Sequence, residues 1–207
     1  MHYNLFAGKN LDRLAALSDG VFGVAATLLV LDLRVPATEA VHSEHDLGRA
    51  LVALAPRLIP YLMTFTTVGI FWVGQQAQFN VFERTDRNLT WIHIGFLLVV
   101  TLMPFSTALL AQFLSYRLAL GVYWLNIFLL GVALYASWKY AQRAGLVKGD
   151  VPAELGVAVQ RRIVVAQSLY AFGAALCLIN TYLSIGFIVL VQLNYVFAPR
   201  IGGLNRI

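Results

Sequence analysis

The stretch from Ile163 to Pro199 contains no Asp, Glu, Lys or Arg. As one helix it would run for roughly 55 Å at 1.5 Å per residue, well beyond the ~30 Å of hydrocarbon in a bilayer. Tilt alone does not absorb such an excess. The stretch therefore predicts two membrane spans, divided near Asn180 to Gly186, where Asn, Ser and Gly supply turn chemistry. The same lack of charge recurs over Leu58 to Phe82, Asn88 to Tyr116 and Leu118 to Trp138. Leu14 to Leu33 is also long enough to span, with Asp19 near its start and Asp32 near its end. The expected architecture is all-α and integral to a membrane. It is one domain over residues 1–207, with six spans at about 14–35, 58–82, 88–114, 117–139, 162–181 and 184–199.

Composition agrees. Hydrophobic residues make up 59% of the chain and charged ones only 12%, about half the charged share of a soluble domain. A soluble enzyme, a disordered tail and a nucleic-acid-binding domain are all excluded on this ground. The net charge of +5 matters less than where its carriers sit. With the N-terminus inside, the cytoplasmic segments hold Lys9, Arg13, Arg84, Arg87, Lys139, Arg143, Lys148, Arg161, Arg162, Arg200 and Arg206. Only Arg34, Arg49, Arg57 and Arg117 remain outside. This bias predicts a multi-pass protein with both termini cytoplasmic. Residues 1–13 lack an apolar core, so no removable signal peptide is expected. The single Cys177 allows no intrachain disulfide.

Between Pro36 and Pro56, Leu47, Ala50, Leu51 and Leu54 recur at helical spacing behind Ser43. They predict a short amphipathic helix on the membrane surface, capped by Ser43. The segment from Lys139 to Arg162 is expected to extend the fourth and fifth helices. Trp72, Trp91, Trp124 and Trp138 fall mostly near span ends, as interfacial aromatics do. There is no internal repeat.

Catalytic signatures are lacking: no glycine-rich phosphate loop, no His-Glu-x-x-His, no Cys-x-x-Cys and no Gly-x-Ser-x-Gly. The chain is not expected to be an enzyme or to hold a cofactor or resident metal. His42 and His45 read as solvated loop residues, and His93 as a histidine hydrogen-bonded between helices. The first span differs. A carboxylate inside a membrane helix costs about 2.5–3.5 kcal/mol and is normally paired. If Ser18 or Asp19 merely capped the helix, only Gly20 to Val35 would be helical, about 24 Å and short for a bilayer. The helix is therefore read as starting earlier, with Asp19 inside it. Arg13 lies six residues from Asp19, about 120° away around the helix, so each is expected to bond to other helices or another subunit. Gly20 and Gly23, with Ala25 and Ala26, would permit close helix approach. Val24, Leu28 and Leu31 share one stripe within about 60° of arc, extended by Leu17 and Gly20, with Thr27 on its flank and Asp19 roughly opposite. Residues 21–31 are apolar all round, so periodicity does not say what the stripe faces.

Arg13-x-x-x-Leu17-Ser18-Asp19-Gly20 and the following Val-Phe-Gly-Val-Ala-Ala-Thr-Leu-Leu-Val-Leu resemble the signature first helix of the transmembrane-protein-175 potassium channels, in their prokaryotic branch. Those proteins carry Arg-x-x-x-Phe-Ser-Asp-Gly there. Trp72, at the end of the second span, and Pro104-Phe105-Ser106-Thr107 in the third support the resemblance. It implies a homotetramer in the plasma membrane of a prokaryote, with four first helices around a central pore. Val24, Leu28 and Leu31 would form a hydrophobic constriction, Thr27 a hydroxyl ring contributing to potassium preference, and Arg13, Ser18, Asp19 and Gly20 a structural polar network. Potassium would be the conducted ion, with sodium, caesium and protons as further candidates and membrane lipids as surroundings. Two departures stand out. Leu17 replaces the usual Phe, and Gln75 and Gln76 follow Trp72 where relatives often place His; Gln does not titrate near neutral pH. A proton-coupled transporter using Asp19 and His93, and a non-conducting scaffold, are the competing readings.

Overall fold

Asn10 opens the first helix, accepting at its side chain from the Arg13 N–H at 2.9 Å. A computed structural model describes residues 10–197. Lys9, Arg200 and Arg206 of the charge bias, and residues 198–199 of the sixth predicted span, lie outside the described residues. Helix α1 covers Leu11–Leu28 and tightens into a 3-10 turn over Leu29–Asp32. Both Ser18 and Asp19 therefore lie within the helix. Helix α2, Glu44–Ala53, is the short amphipathic element; Ser43 caps it, accepting from the Asp46 N–H at 3.2 Å. Helix α3 runs over Ala55–Val81 with Pro60 inside it.

The third apolar stretch is broken. Helix α4 covers Arg87–Thr101 and α5 covers Met103–Gln112. Pro104 explains the break: it has no N–H to give, and its ring crowds the carbonyl of Val100. Helix α6 spans Arg117–Arg143, and α7 runs from Ala153 to Ala175, closed by a 3-10 turn over Leu176–Leu178. Asn180 then starts α8, Thr181–Phe197, accepting from the N–H groups of Tyr182 and Leu183 at 2.8 and 3.3 Å. The long uncharged run thus divides at Asn180, while Gly186 lies within the last helix.

Among the described residues, five segments are long and apolar enough to cross a membrane: Leu11–Asp32, Ala55–Val81, Arg87–Gln112, Arg117–Arg143 and Glu154–Leu178. The sixth apolar helix, Thr181–Phe197, has 17 residues. Helices α3, α4, α5 and α6 pack together around Phe71, Phe96, Val100, Leu120 and Ile127, with α1 laid against α3 and α4 through Phe22 and Ala25. The turns after α3 and α6 are stitched by an antiparallel bridge between Phe82 and Val147. Gly145, at φ 63°, makes the reversal that brings Val147 there.

Candidate functional site: the first helix and its bracing

Helix α1 buries one face. Leu14, Ser18, Phe22, Ala25 and Leu29 point into the bundle. The other face is open: Val24 is 58% exposed, Leu28 45% and Leu31 69%, with Leu17 and Thr27 beside them. The chain itself covers this apolar stripe only in part. Thr27 donates its hydroxyl proton to the Val24 carbonyl at 2.9 Å. The oxygen therefore presents lone pairs, not a proton, on that side.

Asp19 is held from the second span. Trp72 Nε1 and Gln76 Nε2 both donate to its Oδ1, at 2.8 and 2.9 Å. Its Oδ2 has no partner among the described residues. Trp72, expected at the end of the second span, instead lies nine residues before the end of α3 at Val81. The helix reaches Val81 as the uncharged run to Phe82 predicts, and beyond Trp72 its Gln75 and Gln76 bond to His93 and Asp19. A groove of about 290 Å³ between α1 and α3 begins at Asp19 and Trp72 and is walled by Phe22 and Phe65. Ser18 is fully buried and donates back to the Leu14 carbonyl at 2.9 Å, so it braces its own helix. Arg13 is exposed, and its guanidinium has no partner among the described residues.

The expected close helix approach at Gly20 and Gly23 does not occur within the chain. A Cβ added at either would meet no atom within 4 Å. Both glycines are exposed, and Gly23 lines the groove between α1 and α3.

His93 belongs to a separate, fully buried chain of hydrogen bonds. Its Nε2 and the Ser137 hydroxyl are 2.9 Å apart, and Ser137 donates to Gln78 Oε1 at 2.9 Å. Because the serine proton is spent on Gln78, His93 donates from Nε2. Its Nδ1 then accepts from Gln75 Nε2 at 3.0 Å. Gln78 Nε2 closes the chain on the Leu134 carbonyl at 3.0 Å. No hydrogen bond joins His93 to Asp19. His93 is thus a bonded histidine between helices, and the relay imagined between the two groups is not brought together.

A second buried cluster escaped the sequence reading. Thr64 meets Thr107 at 2.7 Å, Thr67 meets the Tyr123 hydroxyl at 3.3 Å, and Gln192 of the last helix donates to Thr67 at 2.7 Å. The signal was present as polar residues three apart inside uncharged runs, Thr64 with Thr67 and Gln75 with Gln78. Such pairs mark the helix face turned to other helices instead of lipid.

Comparison with known proteins places this arrangement. A family model described as "Endosomal/lysosomal potassium channel TMEM175" matches residues 13–104. The potassium channel B446_29190 of Streptomyces collinus is 32% identical over 89% of this chain and 91% of its own length. The potassium channel Cha6605_3372 of Chamaesiphon minutus is 34% identical over 84% of this chain and 87% of its own. A solved structure of a lysosomal potassium-selective channel TMEM175 homolog from Chamaesiphon minutus superposes with a TM-score of 0.78 at 28% identity. The match covers 92% of this chain and 98% of that one.

Proposed function

The chain belongs to the TMEM175 family of multi-pass membrane channels, and from that premise we propose that it is a passive, potassium-preferring cation channel. Four copies set their first helices around one pore, with Val24, Leu28 and Leu31 as stacked rings of a hydrophobic neck. The observation that carries this reading is the open face of α1: the fold buries one side of the helix and leaves those three residues uncovered. Facing one another across an axis, they would narrow a pore that opens by widening or wetting. Thr27 adds a ring of hydroxyl oxygens whose lone pairs are free to meet a cation, because the proton already goes to Val24. Trp72 and Gln76 fix the rotation of α1 through Asp19 and so keep the stripe aimed at the axis. Arg13 and Asp19 Oδ2 remain for contacts with a neighbouring copy.

The chain crosses the membrane six times, counting Thr181–Phe197 as the last span, with both termini in the cytoplasm of a prokaryote. At 17 residues that helix is about 25 Å long, at the lower limit for a span. The proton-coupled alternative gains no support, since Asp19 and His93 bond to different partners.

Cross-linking tests the arrangement. Cys177→Ser gives a cysteine-free background, because it is the only cysteine. On that background Leu28→Cys is expected to link copies into dimers on mild oxidation, whereas a cysteine at Leu98, exposed on α4, is not. Dimers from Leu98→Cys and none from Leu28→Cys would place a different face at the axis.

A further inference from the structure

Two arginines, Arg161 and Arg162, stand side by side on an exposed face of α7 that is otherwise aliphatic. Val157 is 67% exposed before them and Val164 52% after. Exposed valines on both sides of a charge pair are ill suited to bulk water. They fit the level at which a helix passes from headgroups into hydrocarbon, where arginine stems lie along apolar surface and their heads reach polar groups. From Ile163 to Leu178 the segment is uncharged, roughly 24 Å of helix. That length sets the arginine pair at one edge of the hydrocarbon layer.

The neighbouring helix carries further cations at the same end of the bundle. Gln160 Nε2 donates to Gln142 Oε1 at 2.8 Å, and Gly156 backs onto Gln142 and the Trp138 ring. The start of α7 is thus seamed to the end of α6, which brings Lys139 and Arg143 to the same end of the bundle. Lys139 lies over the Tyr135 ring at 5.8 Å and Arg162 over the Tyr195 ring at 5.7 Å. All ten acidic residues fall between 10 and 197, yet none of these four cations pairs with one among the described residues. The nearest acid before the pair on α7 is Glu154, seven positions before Arg161 and about 10.5 Å along the helix.

We propose that the exposed cationic end of α7 binds the phosphate headgroup of an anionic phospholipid, with Arg161 and Arg162, on the sides of the helix not seamed to α6, as its principal contacts. Basic side chains at the edge of a span attract anionic headgroups in this way. The proposal goes beyond conduction, and its readout does not depend on ion flux.

The test uses the full chain in detergent, titrated with phosphatidylglycerol or phosphatidylcholine while the thermal unfolding midpoint and particle size are followed. Phosphatidylglycerol is expected to raise the midpoint of the wild type, and phosphatidylcholine to leave it in place. In R161Q/R162Q the half-saturating lipid concentration should rise about thirtyfold, the loss expected for two surface cations. R161K/R162K, which keeps both charges, should respond within a few-fold of wild type. R34Q/R117Q, altered at the other end of the helices, should respond as wild type does. An unchanged response in R161Q/R162Q, an equal loss in R34Q/R117Q or no response in a folded R161K/R162K would overturn the proposal. So would a response that tracks a change in particle size, which would make this face of α7 a contact between copies.

Discussion

Serine in place of Leu28 or Leu31 is expected to raise cation flux through reconstituted protein and to narrow the difference between potassium and sodium. A dry ring of leucines repels a hydrated ion because stripping its water has no compensation in an apolar neck. In the proposed tetramer one substitution would become a complete ring of hydroxyls, each able to hold a water. A barrier lowered by only 1.4 kcal/mol gives a tenfold rise in rate, and a rise of at least about tenfold is the expected result for either variant. Selectivity should fall at the same time, because a wetter and wider neck lets ions keep their shells. Thr27→Val has a different expected outcome: it removes the outward oxygen while keeping the shape, so potassium preference falls with little change in total flux. Liposome flux with potassium and sodium, side by side, reads all three variants. Unchanged flux in both leucine variants would remove Val24, Leu28 and Leu31 from the pore.

Loss of the Asp19 carboxylate should be felt most in the stability of the fold. Asp19→Ala strips Trp72 Nε1 and Gln76 Nε2 of their common acceptor. A hydrogen bond to a charged group contributes about 1.5–3 kcal/mol, and the exposure of Asp19 and Trp72 in the single chain argues for the lower end. A loss of about 2 kcal/mol corresponds to a fall of roughly 4–8 °C in the unfolding midpoint for a chain of this size. Asp19→Asn keeps an oxygen for both donors and should recover most of that loss. The asparagine variant also separates two mechanisms. In a passive channel it continues to carry potassium downhill without a proton gradient. In a proton-coupled carrier using this carboxylate, uptake collapses although the protein remains assembled.

The five segments long enough to span were legible because membrane insertion is written in composition: long runs without charge have few other places to go. Helix starts were legible where a short polar side chain stood before the run, as at Ser43. The start at Asn10 was hidden, since the polar residues Asp12 and Arg13 inside the first turn make the apolar run look later than the helix. The break at Leu102 had its cause in plain view at Pro104, yet proline is tolerated within α3 at Pro60, so the residue alone does not decide. Pairings between helices were not legible. Nothing in the spacing of Trp72 and Gln76 says that both reach Asp19, because that depends on how α1 is rotated against α3. The glycines misled for the same reason. Gly20 and Gly23 suggest close packing, but no other helix of the chain comes within 4 Å of a Cβ added at either.

The central claim is passive conduction with a preference for potassium, and its most direct measurement is ion flux from liposomes holding the purified protein. Potassium, sodium and a large organic cation are compared under equal gradients, with the oligomeric state checked on the same preparation. The account predicts downhill potassium flux greater than sodium flux, exclusion of the organic cation, and no dependence on a proton gradient. Flux that appears only when a proton gradient is imposed, or none from protein shown to be tetrameric even with serine at Leu28, would contradict it.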